Sequence, residues 1–549
     1  MKAIFKIICG IVFICNTANA QSWQWAKSGG GADGTINGER FEEVQSIVTD
    51  SQKNIYILSH ITGVGTNVAG NPKQYWGDST TKIDWVLASF ACDGTYRWSK
   101  IIGGSNLENV QALQIDSQNN IYFVGKFGGT YNFPARIDDD YIITETIAQD
   151  NNSKIFIAKY NSLGQVQWVR RPQADTVPSS IGYSLTGSVG LLTDLLGNSE
   201  WFVLLPVGSY ANGQFNVTVA GLYVLRYNAA GTFVSGTPYN ITFGSYANLY
   251  SFKFYRNPVN NNICIMGERY FGANSELSIG GQAVNNSNFL ACFNAAGTFL
   301  WKRESNSTDE LWVRPYGLAF DQDSNIYIGG TFFQYGDTPK NYLGYAPPAF
   351  GNRQFIMKLN PDASQVLWSS NSNAGGLEQG GIAYNPFTNQ VGLTTWGGGD
   401  YTWGNLTVNV NTFGVGGDVV LLRFNKNTGI CTNIDKIAAN PNYTDNGTAL
   451  AVDASGDYIV GGGFGSQLFP NASTTLYNIG GQSDFFVAKF ATQVCSSLTN
   501  QSFEKAELQV YPNPTTALIT IGVLDKTTFE IFDIAGKQLL KGKIGRAHV

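Results

Sequence analysis

The chain has 549 residues, a formal net charge of −5, an isoelectric point near 5.3 and only 14% charged residues. An acidic balance without a basic run excludes a nucleic-acid groove and an anionic-membrane anchor, both of which need clustered Lys and Arg. With 63 Gly, 34 Phe, 27 Tyr and 12 Trp, the composition suits short strands joined by many turns rather than helices with solvated faces.

Residues 1–20 read as a secretory signal. Lys2 and Lys6 flank the start of an apolar core from Ile7 to Cys15, and Ala18-Asn19-Ala20 offers small residues for cleavage between Ala20 and Gln21. The core is too short to span a bilayer, and no other segment is long enough to do so. Cys9 and Cys15 lack the context of a lipoprotein signal. Cleavage leaves Cys92, Cys264, Cys292, Cys431 and Cys495, spread too widely for the disulfide framework of a small secreted domain. Either Cys264 with Cys292 or Cys431 with Cys495 is placed to oxidise, or all are buried apolar side chains; no CxxC spacing points to zinc.

From Gln21 to Cys495 one pattern returns seven times. An apolar strand ends at Phe90, Tyr160, Tyr227, Phe293, Leu359, Phe424 and Phe490, roughly every 66 residues. A tight turn follows most of these, and a Trp sits a few residues on at Trp98, Trp168, Trp301 and Trp368, with Ser235 in the third repeat and Thr432 in the sixth. Upstream lies a second strand pair around an Asp turn, clearest at Asp50–Asn54, Asp116–Asn120, Asp321–Asn325 and Asp453–Asp457. Asx side chains bond nearby backbone and so favour these turns. In the second repeat the strands are expected near Val110–Ile115, Ile121–Lys126, Ile155–Tyr160 and Val166–Arg170. Four antiparallel strands per repeat, seven times, predict an all-β fold, a seven-bladed β-propeller, with a solenoid as the competing arrangement. The ends favour a ring. The seventh repeat stops after its third strand, and Ser22–Lys27, with Trp25 in the Trp position, supplies a fourth.

The segments Asn120–Gly125, Phe156–Gly164 with Trp168, Asn325–Gly330 and Asp484–Lys489 resemble the bacterial β-propeller repeat family called SBBP, over about Ser22–Cys495. That resemblance implies a propeller in an extracellular setting and no particular activity.

Long loops of varied length join the second and third strands of each repeat. They fall on one face of the disc and carry Tyr75, Trp76, Tyr131, Phe133, Phe332, Phe333, Tyr335, Tyr342, Tyr345, Trp396, Tyr401 and Trp403 among Asn, Gly, Thr and Asp. Loop length is usually functional, and aromatic faces with polar neighbours suit glycans. Trp76, Tyr131, Tyr335, Trp396, Tyr401 and Trp403 are the candidate ligand contacts; the competing reading is that each aromatic pins its own loop. An acid recurs just before the first strand, at Glu42/Glu43, Glu108, Asp309/Glu310, Glu378 and Asp445. Gathered at a channel mouth, Glu43, Glu108, Glu310, Glu378 and Asp445 fit calcium ligation, a glycosidase pair, or inherited turn residues. His60 is the one histidine between the signal and the tail, which leaves nucleophile triads without a base. Catalytic residues are therefore assigned to none, and a cofactor to none beyond possible calcium.

Residues 496–507 read as a linker and 508–543 as a separate small β unit. Tyr511-Pro512-Asn513-Pro514 with Asp533, Gly536 and Lys537 resembles the type A C-terminal sorting domain of the type IX secretion system. This implies a truncated β-sandwich read by an outer-membrane translocon, and a secreted or cell-surface passenger exported through the periplasm. Residues 544–549 fit nothing before them and reverse-translate into sequencing-adapter DNA, so they are expected to be an artefact. The expected function is extracellular binding or adhesion, to glycan or protein, on the loop-rich face. The alternatives are a polysaccharide-acting enzyme at the channel mouth and a purely structural surface protein.

Overall fold

The computed structural model describes residues 21–32, 42–76, 83–104, 109–127, 135–142, 154–171, 187–244 and most of 251–493. Beyond them it describes Cys495 and four short strands between 509 and 544. The signal segment, Tyr131, Tyr335, Glu108, Glu310, Glu378, and Pro512, Asn513, Pro514, Asp533, Gly536 and Lys537 of the sorting motif lie outside the described residues. The described residues are all β, with no helix long and apolar enough to cross a membrane. The chain divides into two compact units, residues 1–494 and 495–549.

Within the first unit the repeats become antiparallel four-stranded meanders. In the second repeat the strands are Asn109–Ile115, Ile121–Phe127, Lys154–Tyr160 and Val166–Arg170, within a residue or so of where period-2 alternation and turn residues place them. The last such sheet contains Asn446–Val452, Tyr458–Phe464 and Asp484–Ala491, and its fourth strand is Ser22–Ala32 from the N-terminus. Ala26 lies opposite Ala488 and Gly29 opposite Phe485. The edge that Asp484–Ala491 would otherwise expose is thereby paired.

The apolar core is divided among the spaces between consecutive sheets. Phe123 and Phe156 pack with Leu58 and Leu87 of the preceding repeat, and Trp201 and Leu225 pack with Val124 and Ile157. The same happens between the last repeat and the first, where Ile459, Phe485 and Val487 meet Val44, Ile57 and Val86. The innermost strands, Val44–Thr49, Asn109–Ile115, Gly187–Thr193, Lys253–Arg256, Val313–Phe320, Gly381–Asn385 and Asn446–Val452, each approach the next, and Asn446–Val452 approaches Val44–Thr49. The arrangement is propeller-like, with each sheet burying its faces against its two neighbours.

The repeat motif is spent on these junctions. In the second repeat Asp116 Oδ1 accepts from the amides of Gln118 and Asn120, and Oδ2 from Tyr122 Oη at 2.9 Å. Asp50 and Asp321 are bound in the same way, through Tyr56 and Tyr327. Burial raises the Asp321 carboxyl, but hydrogen bonds from Asn325, Tyr327 and Lys358 outweigh it and leave the group below its ordinary value. The indoles then reach across. Trp25 Nε1 donates to Cys92 O, Trp98 to Ser162 O, Trp168 to Ala229 O and Trp368 to Lys426 O, at 2.9–3.1 Å. Each ring covers the turn glycine of the next repeat. Gly164, at φ +77°, leaves only 2.5 Å between the position of a Cβ and Trp98, so both the left-handed backbone and the ring require glycine.

Three of the five cysteines follow the reading as buried apolar side chains. Cys264 and Cys292 lie opposite one another in register yet are free and buried, and Cys431 is free and buried as well. Cys92 and Cys495 are each disulfide-bonded, so Cys431 is not the partner of Cys495. His60 packs edge-on against Trp85 at 4.2 Å. In the second unit Gln509–Tyr511 pairs with Thr520–Gly522, and Thr527–Phe532 with Gln538–Ile544.

Candidate functional site

The long loops do not stand free. Several fold a small hairpin that caps the outer edge of the preceding sheet. In the first repeat, Val64–Val68 and Asn71–Pro72 add to the N-terminal strand, with Gly29 opposite Val68. In the second, Arg136–Ile137 and Tyr141–Ile142 add to Tyr96–Gly103, with Arg136 opposite Gly103. This covers strand edges that an exported β protein would otherwise present for aggregation.

The capping decides where the loop aromatics point. Tyr401 and Trp403, expected to contact ligand, are fully buried. Tyr401 Oη donates to Gln354, and Trp403 Nε1 donates to Ser370 Oγ on the preceding repeat at 2.7 Å. They pin the hairpin Asp400–Trp403/Leu406–Asn409 to its neighbour and have no face left for a ligand. Phe332 and Tyr342 are core residues in the same sense. Trp396 is half-buried at the end of Gln390–Gly397, and its carbonyl accepts from Gln354 Nε2 at 2.6 Å.

Trp76 is placed differently. Its amide donates to Asp84 Oδ2 at 2.6 Å, one side of the ring packs on the first repeat's core, and the Arg136 guanidinium lies 4.1 Å from the ring centre. It lines a cleft of about 390 Å³ with Lys73, Gln74, Lys100 and Asp138-Asp139-Asp140, built where the hairpins of the first two repeats meet. Lys100 pairs with Asp140 at 2.7 Å, Lys73 with Asp138 at 3.7 Å and Arg136 with Asp139 at 3.4 Å. Asp138 is raised by burial, against the Ile101 amide that donates to it. The Trp76 Nε1 is buried and has no hydrogen-bond acceptor. Sequence reading finds Trp76 but not its company. Asp138–Asp140, Lys73 and Lys100 come from a turn, a loop and a strand far apart in the chain.

Of the recurring acids, Glu42, Glu43 and Asp445 are described, and all three are sealed. Glu43 is 3% exposed; its carboxylate accepts from Gln45 Nε2 at 2.8 Å and Asn446 Nδ2 at 3.2 Å, and Asn446 also donates to Gln379. Residues from the sixth, seventh and first repeats thus converge at one end of the innermost strands. Burial raises the Glu43 carboxyl. Burial, with the Asp418 charge added, raises Asp445 to about 8, against a hydrogen bond from the Gly465 amide. Glu42, beside Glu43, accepts from Thr62 and from the Gly31 amide and is raised by burial and by Asp484. A raised carboxyl is suited to proton donation, but Glu43 and Asp445 offer no surface to a polysaccharide. Among the described residues, no three His, Cys, Asp or Glu side chains are grouped to hold a metal.

Residues 509–548 match the model of the secretion system C-terminal sorting domain, so the chain is exported and is secreted or held at the cell surface. A 133-residue stretch, 23% of this chain, is 24% identical to an uncharacterized WD repeat-containing protein of Acanthamoeba polyphaga mimivirus and spans 9% of that protein's length. Among solved structures, the chain is similar to the quinohemoprotein alcohol dehydrogenase of Comamonas testosteroni, at 10% identity and a TM-score of 0.35 over 86% of this chain and 77% of that one. It is also similar to a duf4221 family member from Bacteroides vulgatus, at 12% identity and a TM-score of 0.29 over 69% and 93%. At such scores no activity is carried across.

Proposed function

We propose that this is an exported seven-bladed β-propeller of the SBBP type whose role is extracellular binding, with a glycan taken in the Trp76 cleft. Support for seven blades in a ring is the cyclic approach of the innermost strands and the core shared by the last and first repeats. The observation that carries the binding role is the buried Trp76 Nε1 without an acceptor, beside a cleft lined by Lys73, Lys100 and Asp138–Asp140. A sugar hydroxyl accepts from that indole and from Lys73 or Lys100, while neighbouring hydroxyls donate to Asp139 and Asp140. With Arg136 over the ring, recognition here is by hydrogen bonds at the indole edge rather than by stacking.

The test is a glycan array read with the full-length chain and with Trp76→Phe, which keeps the ring and removes the donor. The expected result is array binding that falls at least tenfold in the variant at unchanged thermal stability. A silent array, or equal binding by Trp76→Phe, overturns the reading. Release of reducing sugar abolished by Glu108→Gln or Glu310→Gln would favour an enzyme at the channel mouth instead.

A further inference from the structure

The chain holds three Asn-Gly pairs, Asn37-Gly38, Asn212-Gly213 and Asn446-Gly447. The first lies outside the described residues, and the other two are built in opposite ways. An Asn-Gly pair carries a reaction of its own. The glycine amide nitrogen, unhindered by a side chain, reaches the asparagine Cγ once the side chain swings round and the intervening backbone rotates. In a folded chain the rate depends on how firmly those two movements are held.

At Asn446 both are held. The residue opens the innermost strand Asn446–Val452, where Asn446 lies opposite Gly463 and Gly447 opposite Gly462. Asn446 Nδ2 donates to Gln379 Oε1 at 2.9 Å and to Glu43 Oε2 at 3.2 Å, and Oδ1 accepts from the Gly463 amide at 3.2 Å. Thr394 fills the space beside Gly447. Rotation here breaks several hydrogen bonds at once.

At Asn212 neither is held. The turn Ala211–Gln214 joins the strands Gly208–Tyr210 and Phe215–Val217, and Asn212, Gly213 and Gln214 are all exposed. Among the described residues none bonds to the Asn212 side chain, and the turn itself is closed by Gln214 N donating to Ala211 O at 3.3 Å. Nothing lies within 4 Å of where a Gly213 Cβ would stand. Ala211, Asn212 and Gly213 sit at φ +54°, +56° and +80°, three left-handed residues in a row. Only the glycine adopts that geometry without steric cost, so the turn is poorly defended against rotation.

We propose that Asn212 is a site of intramolecular deamidation, and that the fold suppresses the same reaction at Asn446. The Gly213 nitrogen bonds to Asn212 Cγ, the Cγ–Nδ2 bond breaks, and ammonia leaves with the proton that the amide gives up. Water then opens the succinimide. Entry at Cγ yields aspartate; entry at the main-chain carbonyl yields isoaspartate, with one more backbone atom between Tyr210 and Phe215. That rung seats the hairpin: Tyr210 is buried in the core of the second and third repeats, and Phe215 packs beside it. Both products add a negative charge at the tip, and isoaspartate also disturbs the register below it. None of this rests on the reading of the Trp76 cleft.

The test is peptide mapping by mass after the folded full-length chain has stood in mildly alkaline buffer. The Asn212 peptide is expected to deamidate at least tenfold faster than the Asn446 peptide, and to be labelled by isoaspartyl methyltransferase. In urea the two rates are expected to converge to within about threefold, since the reacting pair is the same. Asn212→Gln is expected to abolish the reaction at that turn without moving the melting temperature. Equal rates in the folded chain, or no reaction at Asn212, overturn the proposal. A tenfold gap that persists in urea overturns the role given to the fold, and an unlabelled Asn212 peptide overturns the succinimide route.

Discussion

The junction between the last and first repeats and the junction between the third and fourth are built on one plan and filled differently. At the first, Trp25 covers Gly94 and donates to Cys92 O, and Lys489 is buried against Asp453 at 2.6 Å. At the second, Ser235 leaves the glycine face open, and Arg226 turns from the Asp194 turn to Glu200. The repeat's Asp, Tyr, Lys and Trp are therefore mortar between sheets, and the third repeat replaces the last three with Glu200, Arg226 and Ser235, where Glu200 pairs with Arg226 and Arg256. In a chain of repeated units, departures from the repeat are the informative residues.

That contrast is open to breaking. The largest expected effect is at Trp25: Trp25→Ala removes a buried indole from the closing strand and should cost about 3–5 kcal/mol, whereas Ser235→Ala should stay within about 0.5 kcal/mol, by urea midpoints. Next come the turn glycines. Gly164→Ala adds a methyl against the Trp98 ring on a left-handed backbone and should cost roughly 2–3 kcal/mol. Gly297→Ala carries the backbone strain alone and should cost about 1 kcal/mol. Equal costs would mean that the indole does not press on the turn. Tyr122→Phe, which takes one hydrogen bond from Asp116, should cost about 1 kcal/mol.

The smallest change at low pH is at Asp445. Its folded carboxyl titrates at about 8, well above the unfolded value, so the folded chain holds a proton that the unfolded chain releases. The resulting stability is full below the ordinary carboxylate range, about pH 4, and drains away as pH rises towards 8. Asp445→Asn should flatten that part of the stability profile while leaving pH 4 nearly unchanged; an unaltered slope in denaturation series from pH 4 to 9 would remove Asp445 as its source. Asp321 runs oppositely: its carboxyl is lowered, so its contribution is present above the ordinary range and lost as pH falls through the folded value.

Strand positions, Asp turns and the transfer of Ser22–Ala32 to the last sheet were legible in the chain, because alternation, turn chemistry and a regular period are local properties that survive into the fold. The direction of the loop aromatics was not. Tyr401 and Trp403 look like an exposed sugar platform until their hairpin folds back on the preceding repeat and buries them. The partners of Trp76 were equally hidden, since Lys73, Lys100 and Asp138–Asp140 belong to two repeats and meet only across a junction. The sequence by itself determined the unit, its recurrence and its export signal, since each is written in residues near one another in the chain. Only tertiary structure decided which polar atoms end without partners, because a hydrogen bond between neighbouring sheets depends on how two distant segments pack, and no periodicity records that.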